Sequence, residues 1–182
     1  MADCDLPFLG ASTTHAIVVM GVSGSGKSTL GSLLSRKFCC PFIEADDFHD
    51  PINVEKMRSG IPLTDDDRWP WLDRLGKALR DGLETNAAIV ATCSALKIEY
   101  RHRLESATGT TIKFVMLEVD QHELLRRVSS RKDHYMPASL LKSQLQTLER
   151  PTSDEEALIL DATRPPADLA NEVEIWLSAD LN

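Results

Sequence analysis

Apolar residues fall along this chain in two alternating patterns. Mainly apolar runs rich in β-branched side chains occupy residues 16–20, 88–93, 111–119 and 157–160, with 41–44 as a shorter fifth. Runs without polar alternation suit strands covered on both faces, as in a parallel sheet between helices. Between them, residues 27–38, 71–83, 121–131, 137–148 and 168–177 carry apolar side chains at helical spacing. Leu72, Leu75, Leu79 and Leu83 are the plainest case. The alternation predicts a three-layer α/β/α fold with a five-stranded parallel sheet and right-handed crossovers. Two segments break the rhythm. Residues 46–73 are acidic and carry Pro51, Pro62 and Pro70, and residues 126–137 are rich in Arg, Lys and His. In a compact domain such excursions read as functional loops rather than filler.

Composition narrows this picture by exclusion. The 182 residues fit one domain, residues 1–182, with 42% hydrophobic content and too little Gly and Pro for a disordered chain. A net charge of −8 argues against a nucleic-acid partner, while a few placed cations still allow an anionic substrate. No apolar run is long enough for a membrane span, and the N-terminus lacks a secretory signal pattern. Cys4, Cys39, Cys40 and Cys93 show no metal spacing and read as reduced thiols, so the cytoplasm is the expected compartment.

The sharpest chemical signal is Gly21-Val22-Ser23-Gly24-Ser25-Gly26-Lys27-Ser28, with Thr29 after it. It follows a predicted strand and opens a predicted helix, the context a phosphate-binding loop requires. Glycines let the backbone wrap phosphates, and N–H groups at the helix start face the anion. Lys27 would neutralise β- and γ-phosphate charge, and Ser28 would ligate Mg²⁺. This names ATP and Mg²⁺ as cofactors but is silent on the acceptor.

Two readings compete for the acid that serves the metal. Asp161 ends an apolar run, as a metal-binding Asp often does. Alternatively Asp161 closes the last strand, and the acids come from Glu44 and Asp46, two apart at the end of the 41–44 strand. If that strand neighbours the phosphate-loop strand, both carboxylates project toward the γ-phosphate. The crowding of Asp47, Asp50, Glu55 and His49 nearby favours the second reading.

Several separated motifs add to this. They are 20–29; Asp46 with His49; Asn53-Val-Glu-Lys-Met-Arg-Ser-Gly60; and Pro62-Leu-Thr-Asp-Asp-Asp-Arg-Trp-Pro-Trp-Leu72. Further on come Cys93-Ser-Ala-Leu-Lys97 with Tyr100-Arg101, Arg127 and Arg131 with His134, Gln144, and Leu148-Glu-x-Pro151 with Asp154-Glu155. Together they resemble the gluconate kinases, relatives of shikimate and adenylate kinases. The resemblance implies transfer of the γ-phosphate of ATP to the 6-hydroxyl of D-gluconate, giving 6-phosphogluconate and ADP. It implies that Asp46 orients or deprotonates the hydroxyl and that Glu44 is an outer-shell magnesium acid. Residues 46–72 correspond to the acceptor region and 126–137 to a lid that brings Arg127 and Arg131 to the phosphates. Arg68, Lys97 and Arg101 are candidates to meet the gluconate carboxylate, with Ser94, His49 and His134 as further substrate contacts. A homodimer is also expected by resemblance. The chain departs from the family at Ala45, where Gly is common, and at Asp50, which separates His49 from Pro51.

Two other functions stay open at this stage. One is a kinase for another small acid or a nucleoside monophosphate. The other is a nucleotide switch, hinted at by Asp73-Arg-Leu-Gly76 and opposed by the absence of an Asn-Lys-x-Asp motif.

Overall fold

The computed structural model describes residues 14–129 and 138–179. The chain opens with β1 (His15–Met20), α1 (Lys27–Lys37), β2 (Phe42–Glu44), a 3-10 turn (Ala45–Phe48), α2 (Pro51–Arg58) and α3 (Asp65–Leu83). It continues with β3 (Ala88–Cys93), α4 (Ile98–Thr108), β4 (Ile112–Glu118), α5 (Gln121–Ser129), α6 (Ala138–Thr147), β5 (Ala157–Asp161) and α7 (Pro166–Ala179).

The strands form one parallel sheet in the order β2-β3-β1-β4-β5, the fold the hydrophobic pattern predicts. Every residue of β1 and β3 is buried, which is why their sequences show no polar alternation. Successive side chains of β1 point to opposite faces. Ala16, Val18 and Met20 join one core with Leu72, Leu75 and Leu79 of α3 and Leu104 of α4. Ile17 and Val19 join the other with Leu30 and Leu34 of α1 and Val173 and Leu177 of α7.

Three features differ from the sequence expectation. First, β2 does not neighbour β1, because β3 lies between them. Second, α3 carries the helical spacing of residues 71–83 back to Asp65, where the acidic run 65–67 suits a helix start. Thr64 caps it reciprocally with Asp67, and Pro70 sits inside the helix, where its missing N–H leaves one carbonyl without its usual donor. Third, α2 and α4 were not legible as helices. α2 lies in the acidic excursion, started by the Asp50 side chain accepting from Ile52 N–H at 2.9 Å, with Pro51 in the first turn. In α4 the buried stripe is Tyr100, Arg101, Leu104 and Thr108, so its period is helical but half polar.

Among the described residues no helix is long and apolar enough to cross a membrane. Cys40 and Cys93 are free thiols, whereas Cys39 is disulfide-bonded, contrary to the expectation of reduced thiols throughout.

α3 and α4 pack closely at Gly76, where an added Cβ would lie 2.4 Å from the Ala107 Cβ. Gly76→Ala is therefore expected to destabilise the fold by about 1–3 kcal/mol through overpacking, despite alanine's better helix propensity. Urea unfolding checks this, and adding Ala107→Gly should restore part of the loss.

Candidate active site

Parallel packing sends the carboxyl ends of the strands to one edge of the sheet, and the chemistry-bearing residues collect there. The phosphate loop leaves the end of β1, with Gly21, Gly24 and Gly26 all at positive φ. No side chain caps the start of α1, which leaves its first N–H groups directed outward for an anion. Lys27 Nζ donates to Val22 O at 3.0 Å, folding the ammonium back over the loop. Two helices hold the crest of the loop. Gly24 sits so close to α5 that an added Cβ would meet Val128 Cγ2 at 2.8 Å. From α6, Gln144 Oε1 accepts the Ser23 N–H at 2.7 Å, a contact spanning 121 positions.

On one side of the loop lies a cleft of about 900 Å³, counting its open mouth. Lys27, Ser28 and Thr29 line it as a donor wall, and Glu44, Asp46, His49 and Arg68 line it as an acceptor wall, with Ser94 just past β3. Its floor is apolar, from the small cluster Met57, Leu63 and Leu140. On the other side a cavity of about 750 Å³ is lined by Ser25, Gly26, Thr29, Arg127 and the loop 162–166. The loop is shared by both, as a triphosphate reaching from a nucleoside site to an acceptor site requires.

The acceptor wall is not built as the sequence pattern implied. Glu44 and Asp46 do not extend from one strand end, because the chain turns into a 3-10 turn at Ala45. Glu44 accepts from the Thr92 hydroxyl on β3, which fixes its carboxylate at the sheet edge. Asp46 projects from the turn. His49 follows, stacked on Trp71 with ring centroids 4.3 Å apart and planes 14° apart. Burial pushes the His49 imidazole down to about 4, opposed by Asp46 and reinforced by Arg68 and Arg74. It is a neutral group at physiological pH, and its Nδ1 has no hydrogen-bond partner among the described residues.

Asp161 lies at the end of β5, two strands from β1, and its Oδ1 accepts from the N–H and hydroxyl of Thr163. Its carboxylate closes its own turn. Arg127 reaches both sides of the nucleoside cavity, donating to Ala162 O at 2.9 Å and Ser25 O at 3.5 Å while Glu123 holds its Nε at 2.7 Å. Arg131 and His134 lie outside the described residues, as does most of the lid segment 126–137.

Two candidate cations are not in the cleft. Lys97 is engaged by Asp65 at 2.7 Å and lies 5.4 Å from the centre of the Tyr100 ring. Arg101 is 0% exposed, paired through two nitrogens with Glu155 and donating to the carbonyls of Ala95 and Glu149 at 3.1 Å. Despite its burial, Glu155 is held below the ordinary carboxylate range by Arg101 and the Thr152 N–H. Glu149 in turn accepts the first N–H of α4, from Ile98, at 2.8 Å. Lys97 thus ties the start of α4 to α3, while Arg101, Glu149 and Glu155 tie α4 to the segment before β5. Arg68 remains, lying 5.6 Å from the centre of the Tyr100 ring and lining the cleft. Thr92 and Gln144 were missed as site-forming residues. Thr92 is hidden in an apolar strand, and Gln144 was marked in the sequence without a role.

A phosphate loop on the central strand, between an acceptor cleft and a nucleoside cavity, defines a P-loop small-molecule kinase. Residues 17–151 match the family described as AAA domain. The gluconokinase of Gluconobacter oxydans is 45% identical, covering 82% of this chain and 84% of that protein. The thermosensitive gluconokinase of Escherichia coli is 40% identical over 88% of this chain and 84% of its own length. The crystal structure of a gluconokinase from Sinorhizobium meliloti superposes with a TM-score of 0.80 at 42% identity, covering 92% of this chain and 95% of that one. The chain belongs to the gluconokinase family.

Two outcomes follow from the geometry. Arg101→Met leaves Glu155 buried and unpaired, so unfolding free energy should fall by about 3–5 kcal/mol. Kinetic constants of the folded fraction should stay near wild type. Because the folded His49 pKa lies below its ordinary value, stability is full above pH 6.5 and falls as pH drops toward about 4. His49→Gln should remove that part of the dependence, read as urea midpoints at pH 7 and pH 5.

Proposed function

We propose that the chain transfers the γ-phosphoryl group of ATP to the 6-hydroxyl of D-gluconate, giving 6-phosphogluconate and ADP. Family membership supports the reaction. The observation that carries the residue-level reading is the cleft that Asp46 and Arg68 line together with Lys27 and Ser28 of the phosphate loop.

Loop N–H groups and Lys27 hold the phosphates and offset their charge, while Arg127 stands between the loop and the nucleoside cavity. The transition state of phosphoryl transfer is loose, so Asp46 acts mainly by accepting a hydrogen bond from the sugar hydroxyl and aiming its oxygen at the γ-phosphorus. Arg68 meets the substrate carboxylate with a bidentate fork at the far end of the cleft. His49, neutral, and Ser94 bond the hydroxyls between. Roles for Arg131 and His134 over the phosphates rest on resemblance alone.

The residues also fit Mg²⁺. Among the described residues no group of three or more His, Cys, Asp or Glu could cage a metal ion. That suits a cation carried mostly by phosphate oxygens and water, with the Ser28 hydroxyl as a direct ligand and Glu44 through water. Bound there, it would screen the phosphate oxygens as charge shifts among them. The reading places the reaction in the cytoplasm, where ATP is at hand.

A coupled assay across sugar acids and nucleoside monophosphates tests the acceptor. Gluconate should be turned over best, and equal or better turnover of a nucleotide would overturn the assignment. Asp46→Asn should lower kcat by about 10²–10⁴-fold with ATP affinity nearly unchanged.

A further inference from the structure

The acceptor wall has little local support of its own. It follows β2, a three-residue strand at the edge of the sheet that bonds only to β3. The 3-10 turn that carries Asp46 is four residues long and closes with a stretched bond, His49 N–H to Asp46 O at 3.4 Å. Segments with so few internal contacts sit at the low-stability end of a fold. Yet a kinase needs its acceptor-orienting group fixed to within a fraction of an ångström.

α3 supplies what the edge strand lacks. Trp71, 1% exposed, donates its indole N–H to Ala45 O at 2.6 Å, the peptide directly before Asp46. Its ring lies flat against His49. One turn later, Arg74 Nε donates to Phe48 O at 3.0 Å, the peptide directly before His49. One turn earlier, Arg68 lines the cleft. Residues three apart share a helix face, so one row of α3 grips both ends of the turn and also presents the cation.

We propose that Trp71 and Arg74 are positioning residues, which act through Asp46 and His49 to set the acceptor geometry without touching the acceptor. The inference rests on the gluconate-kinase reading and deepens it. It also accounts for the tolerance of Ala45, whose side chain is buried in the core while its carbonyl is the atom α3 holds.

The test uses two variants of the full chain, each made alone and in an Asp46→Asn background. Trp71→Phe keeps a ring against His49 and deletes the N–H. Arg74→Met keeps the stem of an exposed side chain and deletes the guanidinium, so it does not threaten folding. Each removes one hydrogen bond and should lower kcat for gluconate about three- to tenfold, with KM for ATP within twofold of wild type. In an Asp46→Asn background the same changes should add almost nothing, because their effect passes through Asp46. A merely structural role would lower stability without this kcat selectivity or this non-additivity.

Wild-type turnover of gluconate reports on the underlying reading by itself. A second readout needs no acceptor: the His49 Cε1–H proton signal, shifted upfield by the stacked indole, should move toward the position of an unstacked histidine in Arg74→Met. Unchanged kcat in both variants, full additivity with Asp46→Asn, or an unmoved His49 signal in Arg74→Met would overturn the proposal.

Discussion

The structure is organised around a stretch of backbone that must stay unpaired. Anion binding by the phosphate loop needs several N–H groups pointing into space with no protein acceptor in front of them, a state a chain ordinarily avoids. The loop is therefore stiffened from outside. Gly21 N–H is held by Ser94 O at 3.3 Å, Ser23 N–H by Gln144, and Gly24 is pressed against Val128. Each contact comes from a different part of the chain: the segment after β3, α6 and α5. Central placement of β1 makes this possible, since β3 and β4 flank it and deliver their loops to either side.

The same edge separates the two cavities. Toward β3 and β2 the loop faces carboxylates, a neutral imidazole and Arg68; toward β4 and β5 it faces Arg127 and the turn 162–166. An acidic chain with a net charge of −8 can hold anions at such a place because the cations that face them are few and local. Lys27 and Arg68 are the Lys and Arg side chains lining the cleft among the described residues. Their neighbours Lys97 and Arg101 are already paired with carboxylates, and that pairing keeps α3, α4 and the segment before β5 together. A buried pair of this kind adds little net stability but would be costly to break on one side.

Much of this was legible in the residues. Alternating apolar runs and helical stripes define a parallel sheet because strands covered on both faces have no polar positions, and that rule is local. The G-x-x-x-x-G-K-S loop is equally local: glycine spacing, strand before and helix after specify the phosphate site without knowledge of anything distant. Asp46, His49, Arg68 and Ser94, singled out by their motifs, line one cleft. α4 escaped because its buried face includes Arg101 and Thr108, and a charge at a core position erases the amphipathic signal. Its partner Glu155 lies 54 positions away.

The sequence by itself determined the fold class, the donor site and the family, since these depend on short-range periodicity and on motifs contiguous in the chain. Only the tertiary structure decided which cations line the cleft. Lys97, Arg101 and Arg68 are chemically similar in one dimension, and they are sorted by the partners folding brings to them, Asp65, Glu155 and an open cleft respectively. It also decided that Asp46 hangs from a short turn held by Trp71 and Arg74, because strand order and helix packing are settled by contacts between segments that no local pattern records.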